Sequence, residues 1–190
     1  MMLRNQGVFS KSRQQGSYTI ELVFILVALW GVYLFAADLS YQLLVRAKLD
    51  RSSFALVNVI KERTRYFDAD VLAGENLPVT NAELEDMAKV VSRMLNTPVD
   101  NVAIKIESLI NKTNVAEFST SKYRSLNCQT DSILDHADLA PVEKGVVYPL
   151  YRISLCEEES SWFKPFFNGG TSTTVKIGSS SIMPDRKSVV

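Results

Sequence analysis

Three residues near the start of this chain have types and spacing that could do chemistry together: Gly16, Ser17 and Glu21. The peptide bond that follows Gly16 decides what the other two can do. Cutting that bond would leave a new α-amine on Ser17, four residues before Glu21. Glu21 stands at the edge of an apolar run, residues 22–37, that contains no charge. A carboxylate at the centre of a membrane-crossing helix costs roughly 2.5–3.5 kcal/mol, and less near the interface, so it needs a partner. The Ser17 amine would supply one. Cleavage after Gly16, followed by pairing of Glu21 with that amine, is the chemistry these residues suggest.

A helix must present them. The run 22–37 is sixteen residues long, short of the roughly 20 that span a bilayer. Extending it back to Tyr18 takes Glu21 into the hydrocarbon. Residues 1–16 hold Arg4, Lys11 and Arg13 and no acid. The chain therefore divides into a basic leader, 1–16, a transmembrane segment, 17–38, and a soluble head, 39–190. A cleaved secretory signal fits poorly, because a cut after Ala37 puts Phe35 where a small residue is needed, and the leader would be unusually long. An uncleaved signal anchor is the stronger rival. Counting Lys and Arg does not choose the orientation: three bases precede the apolar run, and Arg46, Lys48 and Arg51 follow it.

No proline occurs before Pro78, and Gly31 is the only glycine between Ser17 and Ala73. The helix can thus run on beyond the membrane. Leu39, Leu43, Ala47, Leu49, Phe54, Leu56, Val57 and Ile60 keep helical spacing, and Lys61, Arg63 and Arg65 lie where a helix end favours cations. One helix of about 50 residues, ~75 Å long, is the simplest account. A loop with Gly74 and Pro78 follows. Thr80-Asn81-Ala82-Glu83 is a capping box, opening a helix whose stripe is Leu84, Met87, Ala88, Val91, Met94 and Leu95, ended before Pro98.

Then strands are predicted. Val102, Ile104 and Ile106 alternate with Ala103, Lys105 and Glu107, the pattern of a half-buried strand. Residues 115–118 would pair with it across a turn at 111–114. The strongest strand is 146–156, with Val147, Tyr151, Ile153 and Leu155 on one face and Pro149 marking an edge or its first residues. A last strand, 171–177, follows the turn Asn168-Gly169-Gly170. Long helix, second short helix and three or four antiparallel strands make an α+β layout, with the long helix across one face of the sheet.

Composition excludes several functions. The 190 residues are 46% hydrophobic with a formal net charge of zero. No basic stripe remains outside the leader, so nucleic acid is not an expected partner. No P-loop or dinucleotide fingerprint occurs, and nothing resembles a nucleophile elbow. The single histidine, His136, lies among Asp131, Asp135 and Asp138. Such a cluster could hold calcium or another hard cation, although a solvated loop is the plainer account. Glu157-Glu158-Glu159 is a solvated charge run or a docking patch for a basic partner. No catalytic residue, cofactor or metal is assigned, and an enzyme is not expected; a membrane-tethered hydrolase dependent on His136 is the enzymatic rival. Cys128 and Cys156 stand apart with no Cys-x-x-Cys. They suit a disulfide in an oxidising compartment, closing a loop worth roughly 3–4 kcal/mol; two buried thiols are the alternative.

The basic leader, Gly16, Glu21 and hydrophobic helix together resemble the N-terminus of type IV prepilins. The length, the strand Tyr151-Arg152-Ile153-Ser154-Leu155-Cys156, the pair Trp162-Phe163 and the run Ser179-Ser180-Ser181-Ile182-Met183-Pro184-Asp185-Arg186 extend the likeness. On these the chain resembles the minor pilins, or pseudopilins, of the tight-adherence (Tad, or Flp) pilus system, of TadE/TadF type and more like TadF. The major Flp pilin is far shorter and carries Glu-Tyr where this chain has Glu21-Leu22. The resemblance implies a pilin-like fold and cleavage between Gly16 and Ser17 by prepilin peptidase. It implies an inner-membrane helix with a cytoplasmic N-terminus and a periplasmic head, possible entry into the pilus, and pairing of Glu21 with the Ser17 amine of a neighbouring subunit. Ala28, Gly31 and Ala36 would let helices approach. The implied partners are TadE-like minor pilins, the major Flp pilin, the inner-membrane assembly platform and membrane lipid; the implied outcome is surface adherence and biofilm. Ser17 departs from the aromatic first residue common in other type IV pilins, which leaves its N-methylation open. An uncleaved, single-pass periplasmic binding or adaptor protein is the alternative function.

Overall fold

The computed structural model describes residues 15–62, 79–143, 145–167, 169 and 173–185. Most of the leader, the Gly74–Pro78 loop and part of the turn at 168–170 lie outside these residues. The predicted long helix is observed as α1 (Gln15–Glu62), 48 residues with no interruption. It presents two different surfaces. Its first half exposes its apolar side chains, whereas the second half buries one stripe: Val45, Leu49, Ser52, Ser53, Leu56, Val57 and Ile60. These recur three and four residues apart, the spacing of one helix face.

Two serines in that stripe are a finding the apolar pattern hid. Ser53 Oγ lies 3.1 Å from Ser179 Oγ and 2.8 Å from Ser181 Oγ on the facing strand. Small side chains there let the helix come close to the sheet. Phe54, one of the residues that keep the apolar helical spacing, is nevertheless 55% exposed, and Leu39 and Leu43 are exposed as well. Residue 54 is one step, about 100° of helix rotation, beyond Ser53 and so turns off the stripe.

α2 (Asn81–Leu95) has the predicted capping box: Glu83 N donates to Thr80 Oγ1, and Thr80 N donates to Glu83 Oε2 at 2.8 Å. Leu84, Ala88 and Val91 are buried with Met87 and Leu95 packed beside them, while Met94 is exposed. Asn96 ends the helix in the left-handed conformation.

The sheet has four antiparallel strands in the order β2-β1-β5-β6: β1 (Ala103–Ile110), β2 (Asn114–Ser119), β5 (Leu150–Ser160) and β6 (Thr174–Pro184). The small hairpin β3 (Val142–Glu143) and β4 (Val146–Val147) stands apart. This corrects the continuous strand expected over 146–156. Residues 146 and 147 pair backwards with 143 and 142, and the ladder resumes only after Pro149, which has no N–H to give. The last strand likewise starts at Thr174 and continues to Pro184.

Nor is β1 half-buried. Ile104 and Ile106 face Leu155 and Ile153 across the β1–β5 ladder, on the side covered by α1 and α2. The opposite side is covered too. Ala103 and Cys156 pack with Tyr123 and Leu126 of α3 (Ser121–Leu126). Leu109 and Leu150 pack with Ile133 and Ala140, around the 3-10 helix Ile133–Leu139.

Between these two clusters lies a buried ion pair. Glu107 and Arg152 are directly opposed across β1 and β5. Both side chains are 2% exposed. Arg152 Nε donates to Glu107 Oε2 at 2.5 Å and Nη2 to Oε1 at 2.8 Å, the two-pronged geometry that guanidinium and carboxylate favour. Lys105 Nζ adds a contact to Glu107 Oε1 at 3.0 Å and reaches Glu117 at 2.9 Å. Removing one member strands a buried charge, which typically costs about 3–5 kcal/mol. Arg152→Ala or Glu107→Ala should therefore lower head stability by about that much, read by denaturant unfolding of the full chain in micelles. A Glu107→Leu/Arg152→Leu double variant should recover most of the loss; equal damage in the double variant would show that the pairing itself is not what matters.

Candidate functional site: the exposed half of the long helix

Gly16 and Ser17 lie in the first turn of α1, and Glu21 follows on the same helix. Four residues amount to just over one turn, so positions 17 and 21 share a side, about 6 Å apart along the axis. Glu21 is solvent-exposed. The backbone thus brings the three predicted residues to one end of one element.

The stretch behind them is long and apolar enough to cross a membrane, and none of it is buried in the protein. Phe24, Val27, Trp30 and Tyr33 are among its large exposed side chains. A helix apolar on every side needs lipid or other helices around it. Gly31 is informative here: a methyl group built on it would meet nothing within 4 Å. Its small size serves no contact among the described residues, which leaves the position open to an outside partner.

The boundary of the apolar run is marked by Asp38, a residue the sequence offered only as the end of a hydrophobic segment. Ser161 Oγ donates to Asp38 Oδ2 at 2.8 Å, the Trp162 backbone N–H donates to Oδ1 at 3.3 Å, and Gln42 Nε2 donates to Oδ2 at 2.9 Å. One turn earlier, Phe35 meets Phe163 edge-to-face with ring centres 5.5 Å apart. Just after it, Tyr41 OH donates to Glu159 Oε2 at 3.3 Å. The helix is thus tied to the head at the level where it stops being apolar. Apart from the Gln42 bond, nothing local foretells these contacts, since 118 residues or more separate the partners.

The other singled-out residues fall elsewhere. Cys128 and Cys156 are joined by a disulfide with Cα atoms 6.5 Å apart, linking the segment after α3 to β5 across 28 residues. His136 lines an open, polar cavity of about 410 Å³ with Arg46, Asp50, Tyr123, Asp131 and Arg152. The acids around it do not converge: Asp131, Asp135 and Asp138 are exposed while Ile133 turns inward, and the described residues include no group of three ligating side chains placed to hold a metal.

Among known families, residues 9–186 match the family model TadF, described as "Putative tight adherence pilin protein F". No curated protein and no solved structure matches the chain.

The acidic run 157–159 is only partly the solvated charge run expected: it forms the outer end of β5, where Glu158 is exposed but Glu157 and Glu159 are half-buried. Burial pushes the Glu157 carboxyl above its usual range, Glu159 pushes the same way, and Lys48 opposes both. A carboxyl with a raised folded pKa binds its proton more tightly in the folded chain. Its cost to stability is therefore full above the folded pKa and fades as pH falls toward the unfolded value of about 4.3. Glu157→Gln should raise the thermal midpoint at neutral pH, with the gain shrinking on acidification. A midpoint unchanged at neutral pH would mean that Lys48 compensates the burial in full.

Proposed function

The chain belongs to the TadF family of tight-adherence pilin proteins, and from that premise we propose that it is a minor pilin, cut by prepilin peptidase and used in assembling a Tad/Flp pilus. The observation that carries this is the division of α1 into a core-packed half and a membrane-length half exposed to its surroundings. Such a helix can wait in a bilayer and later exchange lipid for the helices of a filament.

In this proposal the peptidase, in the inner membrane, cuts between Gly16 and Ser17. Ser17 then becomes the first residue of the helix and its amine adds a full positive charge to the positive end of the helix dipole. Glu21 now lies one turn in, where it can meet that amine or the amine of a neighbouring subunit and so set the stagger between helices. The TadE-like minor pilins, the major Flp pilin and the inner-membrane platform are the partners, with Ala28, Gly31 and Ala36 as points of close approach. The head lies in the periplasm, where the Cys128–Cys156 disulfide persists. This chain performs no catalysis and needs no cofactor; surface adherence and biofilm formation are the downstream roles.

A second reading, an uncleaved single-pass adaptor, draws on one observation: α1 continues through Gly16 and Ser17 without a break. Mass spectrometry of the N-terminus separates the two. The minor-pilin proposal expects Ser17 as first residue when prepilin peptidase is present and the leader retained when it is deleted. A retained leader beside an active peptidase would remove the proposal. Glu21→Ala should leave insertion and cleavage intact yet reduce surface pili, counted by electron microscopy of cells; normal piliation would dismiss the charge-pairing role.

A further inference from the structure

The turn Ser161–Lys164 is tightly held although it adds little to the core. Ser161 is buried and its hydroxyl serves twice, donating to Asp38 and accepting from the Lys164 N–H at 3.1 Å. The Lys164 ammonium folds back onto the Thr174 carbonyl. Trp162, between these fixed points, is nevertheless 73% exposed. Phe163 rests on Phe35, the last aromatic residue of the apolar run. The Asp38 hydrogen bonds and the Phe35 contact therefore set the turn at the height where the helix changes from apolar to charged.

That height is where a bilayer containing residues 17–38 would have its surface. Tryptophan concentrates in this layer, because its ring is apolar and its N–H still finds water or headgroups. We propose that Trp162 and Phe163 form a foot for the head, the Trp162 indole lying among the headgroups of the same bilayer that α1 crosses. The occupant of this surface is lipid. The inference rests on the membrane-crossing role given to residues 17–38, and it adds a second attachment that limits how far the head and its helix can tilt together in the bilayer.

The chain holds two tryptophans, one for each question. Trp30 lies eight residues before Asp38, about 12 Å deeper along the helix, near the middle of a hydrocarbon layer about 30 Å thick. The full chain would be placed in phosphatidylcholine–phosphatidylglycerol vesicles containing lipids brominated either near the headgroup or near the chain end. In Trp30→Phe, Trp162 is the sole reporter; its emission should fall more with shallow bromine than with deep bromine and be shielded from aqueous iodide. In Trp162→Phe, Trp30 should fall more with deep bromine. Adding Asp38→Ala to Trp30→Phe should release the turn and abolish shallow quenching. Iodide quenching of Trp162 without bromine quenching overturns the foot, as does shielding from iodide and bromine alike, which marks a contact between chains. If Trp30 responds to neither lipid, the membrane-crossing role itself fails and takes the inference with it.

Discussion

One unbroken helix has to satisfy two environments. Nothing between Gln15 and Glu62 interrupts the backbone ladder, so the orientation of the head relative to the membrane half is fixed wherever the helix is held. Its lower half is held along one side by apolar contacts and by the serine cluster at Ser53, where side chains short enough to hydrogen-bond replace larger ones. At the boundary it is held by Asp38. A carboxylate accepting three hydrogen bonds from two parts of the chain is well placed to end a hydrophobic segment, because it gives the chain a reason to stop in one place.

The sheet answers a different difficulty. Both of its faces are covered, yet the face away from α1 and α2 has little apolar material to spare: α3 has six residues and the 3-10 helix seven. Two devices compensate on the thinner side. The disulfide, closing a loop of 28 residues, contributes about 3–4 kcal/mol by restricting the unfolded chain. The Glu107–Arg152 pair fills the space between the two small clusters with groups that satisfy each other. Such a pair is not a strong source of stability compared with packed hydrocarbon. It does fix register, since a shift of one residue would face Arg152 with Ser108 or Ile106.

How far the sequence could be read follows from the range of each signal. The long helix, the Thr80–Glu83 cap and the β1–β2 hairpin are written in neighbouring residues, and they stand as expected. The Ser17–Glu21 spacing is also local, and the helix delivers those two positions to one side. Arg152 was visible only as part of a strand motif, because its partner is 45 residues away and no local pattern links them. Ser53 was passed over for Phe54 because apolar periodicity gives no weight to a serine. α3 is too short to show a helical period, although Thr120 caps it by accepting from Tyr123 N. Asp38 lay in plain view, with nothing nearby to reveal that it receives Ser161 and Trp162.

The spread of contacts along α1 has a mechanical side. Tyr41 through Ile60 touch the head over roughly 30 Å of helix, and from there α1 runs back to Gln15 without a break. A tug on the N-terminal end therefore does not peel the helix away one contact at a time. It is shared along the whole seam, with the Phe35–Phe163 contact and then Asp38 nearest the pull, so that the protein withstands traction as a nail does in wood.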